Sequence, residues 1–233
     1  MRIAVIADLH GNRPATDALD RDLDRTRPDK LYCLGDIVGK GPSSAYTFDW
    51  AMRRCDLVLG GNWDIFVGFK TFEPDFYYWE QLGEERLHAL RELPLETTIT
   101  LSGRRIRLFH GRPTMQHLIH AHDKKEEILP LFTDENGDEC DVACYADAHR
   151  QSLRSLDDKI FFNCGSVGNA LGRPECCYAM LEGGETDPAV PFTIQLIQLP
   201  YDREQAVRDA QAEPRVNRID SFINEVRTGI YSR

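Results

Sequence analysis

No two cysteines stand at C-x2-C spacing, and their total, seven, is odd. That irregularity excludes a zinc ribbon and fits reduced thiols better than a disulfide framework. No apolar run approaches the ~20 residues that cross a bilayer, and the opening "RIAVIAD" is too short for the apolar segment of a signal peptide. Basic residues are in deficit, 28 Lys and Arg against 38 Asp and Glu, for a formal net charge of −10. A nonspecific nucleic-acid binder needs clustered Lys and Arg, so that class is disfavoured. A phosphate substrate remains compatible, provided bound cations invert the local field. Repeats, low-complexity tracts and linkers are also missing. The expectation is one cytoplasmic domain over residues 1–233, off the membrane, with self-association left open.

What is present begins with strand, loop, helix grammar. "RIAVIAD" (2–8) predicts a strand, and a helix runs from Pro14 until shortly before Pro28. "KLYCLGD" (30–36) and a helix from Pro42 to about Arg54 repeat the unit, and "DLVLGGN" (56–62) makes a third strand. Residues 74–92 read as helical with a break near Gly83. Strands then dominate: a hairpin about Ser102-Gly103, then "DVACYAD", "QSLRSLD", "KIFFNCG", "ECCYAMLE" and "PFTIQLIQL". Helices near 202–211 and 217–228 finish the chain. Parallel units first and antiparallel strands later predict an α/β fold with mixed or packed sheets and helices outside.

Polar residues fall at the ends of these strands. Asp8 and His10, Asp36, Asn62, His110, and Asp147 with His149 each close a predicted strand or open the loop after it. Such ends gather into one crevice in α/β architectures. Asp8 and His10 are two apart, so an extended backbone is expected to aim both to one side. Carboxylates, imidazoles and an amide oxygen suit Mn, Fe, Co, Ni or Zn, and there are enough for two ions sharing a carboxylate.

The sequence resembles the calcineurin-like metallophosphoesterases, in particular their small bacterial and archaeal phosphodiesterase branch. The blocks that carry the resemblance are "DLHGN", "GDIVGKGP", "GNWD", "FHG", "ADAH" and "NCGSVG", in the family's order across residues 8–168. The resemblance implies a four-layer αββα sandwich, two mixed β-sheets flanked by helices. It implies two divalent ions, Mn foremost with Fe, Ni, Co or Zn as alternatives. Asp8, His10, Asp36 and His149 would hold the first, and Asn62, His110 and Asp147 the second, with Asp36 shared. A water between the ions would attack a small phosphorylated substrate, a nucleotide being favoured. Asn62 and Asp64 would be the catalytic residues of "GNWD", and Trp63 and Arg112 would face the substrate.

Two departures from the family pattern bear on this. Trp63 stands where the family carries an acid histidine, and an indole N–H cannot deliver a proton at neutral pH. That predicts a preference for phosphoanhydrides and aryl phosphates. The ring is either a stacking platform for a base or a packing residue of the cleft wall. Asp147 replaces a histidine, so it is either a harder ligand to the second ion or a carboxylate beside it. As a ligand it sets three carboxylates against two divalent ions and predicts a less acidic water. Arg112 either meets phosphate or pairs with a surface acid, Lys40 in "GKGP" is not counted in the site, and His117, His120 and His122 are expected in a loop over the cleft. Rival readings are a protein serine/threonine phosphatase and a scaffold protein with a decayed site, as in the retromer subunit that resembles this family.

Overall fold

In the first strand, "RIAVI", alternate residues enter different cores. Ile3 and Val5 face one and Ala4 and Ile6 the other. The computed structural model describes residues 1–232 and explains this double burial. Strand β1 (Arg2–Ile6) lies inside a five-stranded sheet that is covered on both faces. It pairs in parallel with β2 (Lys30–Cys33), which pairs in parallel with β3 (Leu57–Val58). On its other side run β9 (Cys176–Glu182) and β10 (Thr193–Leu199), each antiparallel to its neighbour. The second sheet has the order β4-β5-β6-β8-β7, from β4 (Glu96–Leu101), β5 (Arg104–Phe109), β6 (Val142–Tyr145), β7 (Ser152–Leu156) and β8 (Lys159–Asn163).

Between the sheets Ile3, Val5 and Leu181 meet Ile106, Leu108, Val142 and Phe162. Each such fully buried aliphatic or aromatic side chain contributes about 1.5–3 kcal/mol. On the outer face of the first sheet, Ala4, Ile6, Tyr178 and Met180 pack against helices α1 (Arg13–Thr26), α2 (Ser44–Arg54) and α4 (Phe76–Arg91). The outer face of the second sheet carries Phe109, Tyr145 and Phe161 under the loop that holds Met115 and Ile119 and the short α5 (Lys125–Ile128). Helices α6 (Arg203–Gln211) and α7 (Ile219–Thr228) pack on each other through Val207, Ala210 and Phe222. The expected arrangement of two mixed sheets flanked by helices is therefore what forms.

Local signals set the boundaries. The Asn12 side chain accepts from the Ala15 N–H at 3.2 Å and caps α1, while Pro14 occupies its first turn. Helix α4 breaks at Gly83, whose φ of 70° only glycine adopts cheaply. Two expectations are corrected. The expected third strand over 56–62 stops at Val58, and Asn62 already opens a helix, α3 (Asn62–Gly68), whose first-turn Asp64 accepts the Gly61 N–H at 2.9 Å. The second half of the chain is not purely antiparallel, since β5, β6 and β8 run parallel to one another. Those parallel strands bring His110 and Asp147 to the same edge as Asp8, Asp36 and Asn62.

Candidate metal centre

The candidate residues sit just past the C-terminal ends of β1, β2, β3, β5 and β6. Their backbone is not extended there. Asp8, His10, Asp36, Asp147 and His149 have φ of 56°, 47°, 52°, 59° and 56°. The pairs at 8/10 and 147/149 thus converge through left-handed turns rather than through strand alternation, which corrects the expectation from their spacing. The loops hold this shape by bonding to one another. The Asp8 N–H donates to the Gly35 carbonyl at 2.9 Å, and the Asp8 carbonyl accepts from Gly168 N–H at 2.8 Å and Ser166 Oγ at 3.0 Å. The His10 N–H donates to the Asp36 carbonyl at 3.1 Å.

Three imidazoles are oriented in one manner. Nδ1 of His10 lies 3.1 Å from the Val38 carbonyl, Nδ1 of His110 lies 3.1 Å from that of Leu34, and Nδ1 of His149 lies 2.7 Å from that of Asn169. A carbonyl only accepts, so each Nδ1 carries a proton and each Nε2 turns a lone pair inward when the ring is neutral. Those inward atoms ring Asp8 Oδ1, at 3.9 Å for His10, 3.8 Å for His110 and 3.7 Å for His149. Asp36 Oδ2 lies 3.5 Å from His10 Nε2 and 3.3 Å from His110 Nε2. His10 Nε2 and His149 Nε2 are 3.2 Å apart, a separation that two lone pairs tolerate only with a proton or cation nearby.

Four of these residues, Asp8, His10, Asp36 and His149, each offer one ligand atom within 4.8 Å of the others and could hold a metal ion. A cation also fits the unmet polar groups. Both Asp8 carboxylate oxygens, Asn62 Oδ1 and His110 Nε2 are buried without a hydrogen-bond partner among the described residues. Unpaired buried charge of this kind costs several kcal/mol unless something compensates it. Electrostatics point the same way. Burial holds the Asp8 carboxyl well above the ordinary carboxylate range. Burial also opposes charging of His110, yet Asp36 and Asp8 prevail and push its pKa up to about 10. The Asp8 shift expresses burial and the His110 shift the carboxylates facing it, and a divalent cation would relieve both.

Asp147 and Arg112 find each other. Arg112 Nε donates to Oδ2 at 2.8 Å, Nη2 to Oδ1 at 2.6 Å, and the Arg112 backbone N–H to Oδ2 at 3.1 Å. Burial would raise the Asp147 pKa, but this bidentate grip holds it below the ordinary range. Of the two readings of Arg112, pairing with an acid is therefore the observed one, although the acid is 2% exposed and belongs to the site rather than the surface. The guanidinium offsets the negative charge of Asp147.

Asp64 is completely buried and reaches no cleft. Its oxygens accept the backbone N–H groups of Asp36 at 2.7 Å, Ile37 at 3.0 Å, Val38 at 3.3 Å and Gly61 at 2.9 Å. Burial, then the charge of Asp36, push its pKa up to about 7. It shapes the loop that carries Asp36. Trp63 donates its backbone N–H to Asp36 Oδ1 at 2.8 Å, and its ring stands edge-on to His10 with centroids 6.0 Å apart. One ring face lies on Gly39, where a Cβ would come within 2.2 Å of it. Trp63 therefore packs as part of the cleft wall while still lining the cleft.

Lys40, Asn169 and Glu225 belong to the neighbourhood although sequence reasoning passed them over. Lys40 Nζ lies 2.9 Å from Asn169 Oδ1, 3.4 Å from His149 Nε2 and 4.0 Å from Glu225 Oε2. Burial, then Lys40, hold the His149 pKa well below its ordinary value. The only signals were a lysine set between two glycines and a glutamate three residues after Phe222, on the apolar side of α7. All of this opens into a cleft of about 790 Å³ lined also by Phe66, Phe72, Arg112 and Arg218. His120 lines it from the loop between β5 and β6, as expected of that loop.

Comparisons with known proteins bear on the family and the fold. Residues 1–186 match the family described as the calcineurin-like phosphoesterase superfamily domain. An uncharacterized protein of Methanocaldococcus jannaschii is 25% identical over 229 residues, which cover 88% of this chain and 89% of that one. A metallophosphoesterase from Sphaerobacter thermophilus superposes with a TM-score of 0.77 at 21% identity over 99% of both chains. A hypothetical protein from Pyrococcus horikoshii does so at 0.79 and 20% identity, again over 99% of both. At such identities the two structures bear on the fold.

Proposed function

The chain belongs to the calcineurin-like phosphoesterase superfamily, and we propose that it is a metal-dependent hydrolase of a small phosphodiester, phosphoanhydride or phosphomonoester. Asp8, His10, Asp36 and His149 would hold one divalent ion, and Asp36, Asn62, His110 and Asp147 a second, with Mn²⁺ favoured by the hard carboxylates. The observation that carries this reading is Asp8, a buried carboxylate without hydrogen-bond partners, ringed by three inward Nε2 atoms. Bound ions supply Lewis-acid stabilisation of charge at phosphorus and make a water nucleophile available near neutral pH.

The chain's own residues do the rest. Backbone carbonyls fix the three imidazoles, Asp64 fixes the turn of Asp36, and Arg112, 41% exposed, faces the cleft from its grip on Asp147. Trp63 excludes water beside His10 but transfers no proton. Rates are therefore expected to depend steeply on leaving-group acidity, with aryl esters and anhydrides ahead of alkyl esters. Seven unpaired thiols support a reducing, cytoplasmic setting.

The test is metal analysis of the purified protein followed by hydrolysis of bis-p-nitrophenyl phosphate with added Mn²⁺, Ni²⁺, Co²⁺ or Zn²⁺. At least one tightly held ion and turnover with one of these metals are expected. No turnover with any ion, together with less than one ion per chain, would leave a scaffold protein of the same fold.

A further inference from the structure

Two Lys or Arg side chains are buried among the described residues, Arg107 and Lys40, and they meet their carboxylates differently. Arg107 is closed on Glu96, with Nε donating to Oε1 at 3.1 Å and Nη2 to Oε2. Lys40 stands off. Glu225, wholly buried on α7, keeps Oε2 4.0 Å from the Lys40 Nζ, beyond hydrogen-bond reach. That oxygen has no hydrogen-bond partner among the described residues. The ammonium leans instead toward the candidate metal centre, donating to Asn169 Oδ1 at 2.9 Å and lying 3.4 Å from His149 Nε2. A buried carboxylate oxygen left unmet is costly, and a small rotation of the lysine head would meet it.

Both residues are held from behind. The Gly39 N–H donates to Ser44 Oγ at 3.0 Å and the Gly41 N–H to the His10 carbonyl at 3.0 Å, so the loop is pinned on either side of Lys40. Glu225 Oε1 accepts the Ser232 N–H at 3.1 Å, which leaves Oε2 to face the lysine. The mobile part is the flexible four-carbon stem of Lys40. Its neighbour His149 is one of the four residues that could hold a metal ion, and since Nδ1 faces the Asn169 carbonyl, Nε2 is the atom it offers. One lone pair cannot serve an ammonium and a metal ion at once, and two adjacent cations repel.

We propose that Lys40 is a two-position cation and Glu225 its positioning residue. Lys40 lies against His149 until that lone pair is taken by a divalent ion, and it then closes on Glu225 Oε2. The affinity for the first ion is thereby set in part by α7, which lies outside the matched residues 1–186. This rests on the metal-centre reading and goes beyond it, since it requires no turnover.

The experiment is a calorimetric titration of the full chain with Mn²⁺ in wild type, Lys40→Met, Glu225→Gln and the double variant. Lys40→Met removes the competitor, so the first ion is expected to bind about tenfold more tightly. Glu225→Gln removes the refuge, and about tenfold weaker binding is expected. That loss should vanish on the Lys40→Met background, because the carboxylate acts through the lysine. The double variant buries neither charge, which guards against misfolding of Lys40→Met, and it too should bind the first ion more tightly than wild type. Equal or weaker binding in both proteins that lack Lys40 overturns the proposal. So does an equal loss from Glu225→Gln on both backgrounds, which would mean that the carboxylate acts by its own charge. Hydrolysis by wild type with unchanged Mn²⁺ affinity in every variant would refute this inference alone. The expected affinities without hydrolysis of any ester would keep it and refute the phosphoesterase reading, and wild type that takes up no Mn²⁺ would overturn both.

Discussion

The two halves of the candidate metal centre differ in how much of their chemistry the protein already satisfies. Around Asp8, His10, Asp36 and His149, carboxylate oxygens and ring nitrogens converge within 4.8 Å, and neither Asp8 carboxylate oxygen has a hydrogen-bond partner among the described residues. Around Asn62, His110 and Asp147 the polar groups are divided. Asn62 Oδ1 and His110 Nε2 lack hydrogen bonds, while both Asp147 oxygens are held by Arg112. The first half leaves its Asp8 oxygens unpaired, as suits a cation. The second half shares its carboxylate with a guanidinium, so an ion bound there, as proposed, would compete with Arg112 for Asp147. We therefore expect a tightly held first ion and a weaker, exchangeable second one.

Removing the group on which the first half turns gives the largest effect. Asp8→Asn is expected to lower hydrolysis by on the order of a thousandfold, since metal stabilisation of the transition state amounts to several kcal/mol. Loss of tightly bound metal in the same variant should accompany it; full metal content would erase the distinction between the halves. Next comes the shared element. Asp64→Asn keeps the shape but gives up half of the acceptors for four backbone N–H groups, so activity should fall about 10–100-fold, as when a ligand's supporting partner is lost. Its signature is weakened binding of both ions in a calorimetric titration.

Chelation separates the halves by stability. With an ion at about a thousand times its Kd, binding contributes about 4 kcal/mol, or roughly 10 °C in Tm for a chain of this size. Most of that loss should occur with removal of the first ion, measured by melting against graded chelator. The smallest effect is also the most specific. Arg112→Ala frees Asp147, and the second Mn²⁺ is expected to bind about tenfold more tightly while KM for substrate rises, the first ion being unmoved. A weaker second ion in that variant would mean that the arginine orients Asp147 rather than competing for it.

The sequence foretold the fold well where signals were local or periodic. "RIAVIAD" and "DVACYAD" were legible as strands, and the break at Gly83 and the hairpin at Ser102-Gly103 stand where expected. Helix α3 was missed because its signal, Asp64 capping Gly61, is one residue inside a glycine-rich stretch that reads as loop. Every candidate ligand comes to one crevice, but how Asp8 and His10 converge was misjudged: spacing of two suggests extended chain, and left-handed φ leaves no mark in composition. Long-range pairs were least legible. Nothing in "GRPTM" says that Arg112 closes on a carboxylate 35 positions later, and nothing near "GKGP" names Glu225 as a neighbour of Lys40.

Five left-handed residues in one centre also make function and robustness pull against each other. Each non-glycine residue at such φ costs about 1–2 kcal/mol, and Asp8 adds the burden of burial without a partner. Glycine at position 8 removes both at once, so metal-free Asp8→Gly protein should melt above metal-free wild type while binding no tight ion. A chain selected for thermal persistence alone would shed these side chains first. Their presence together is thus a record of selection for something other than stability.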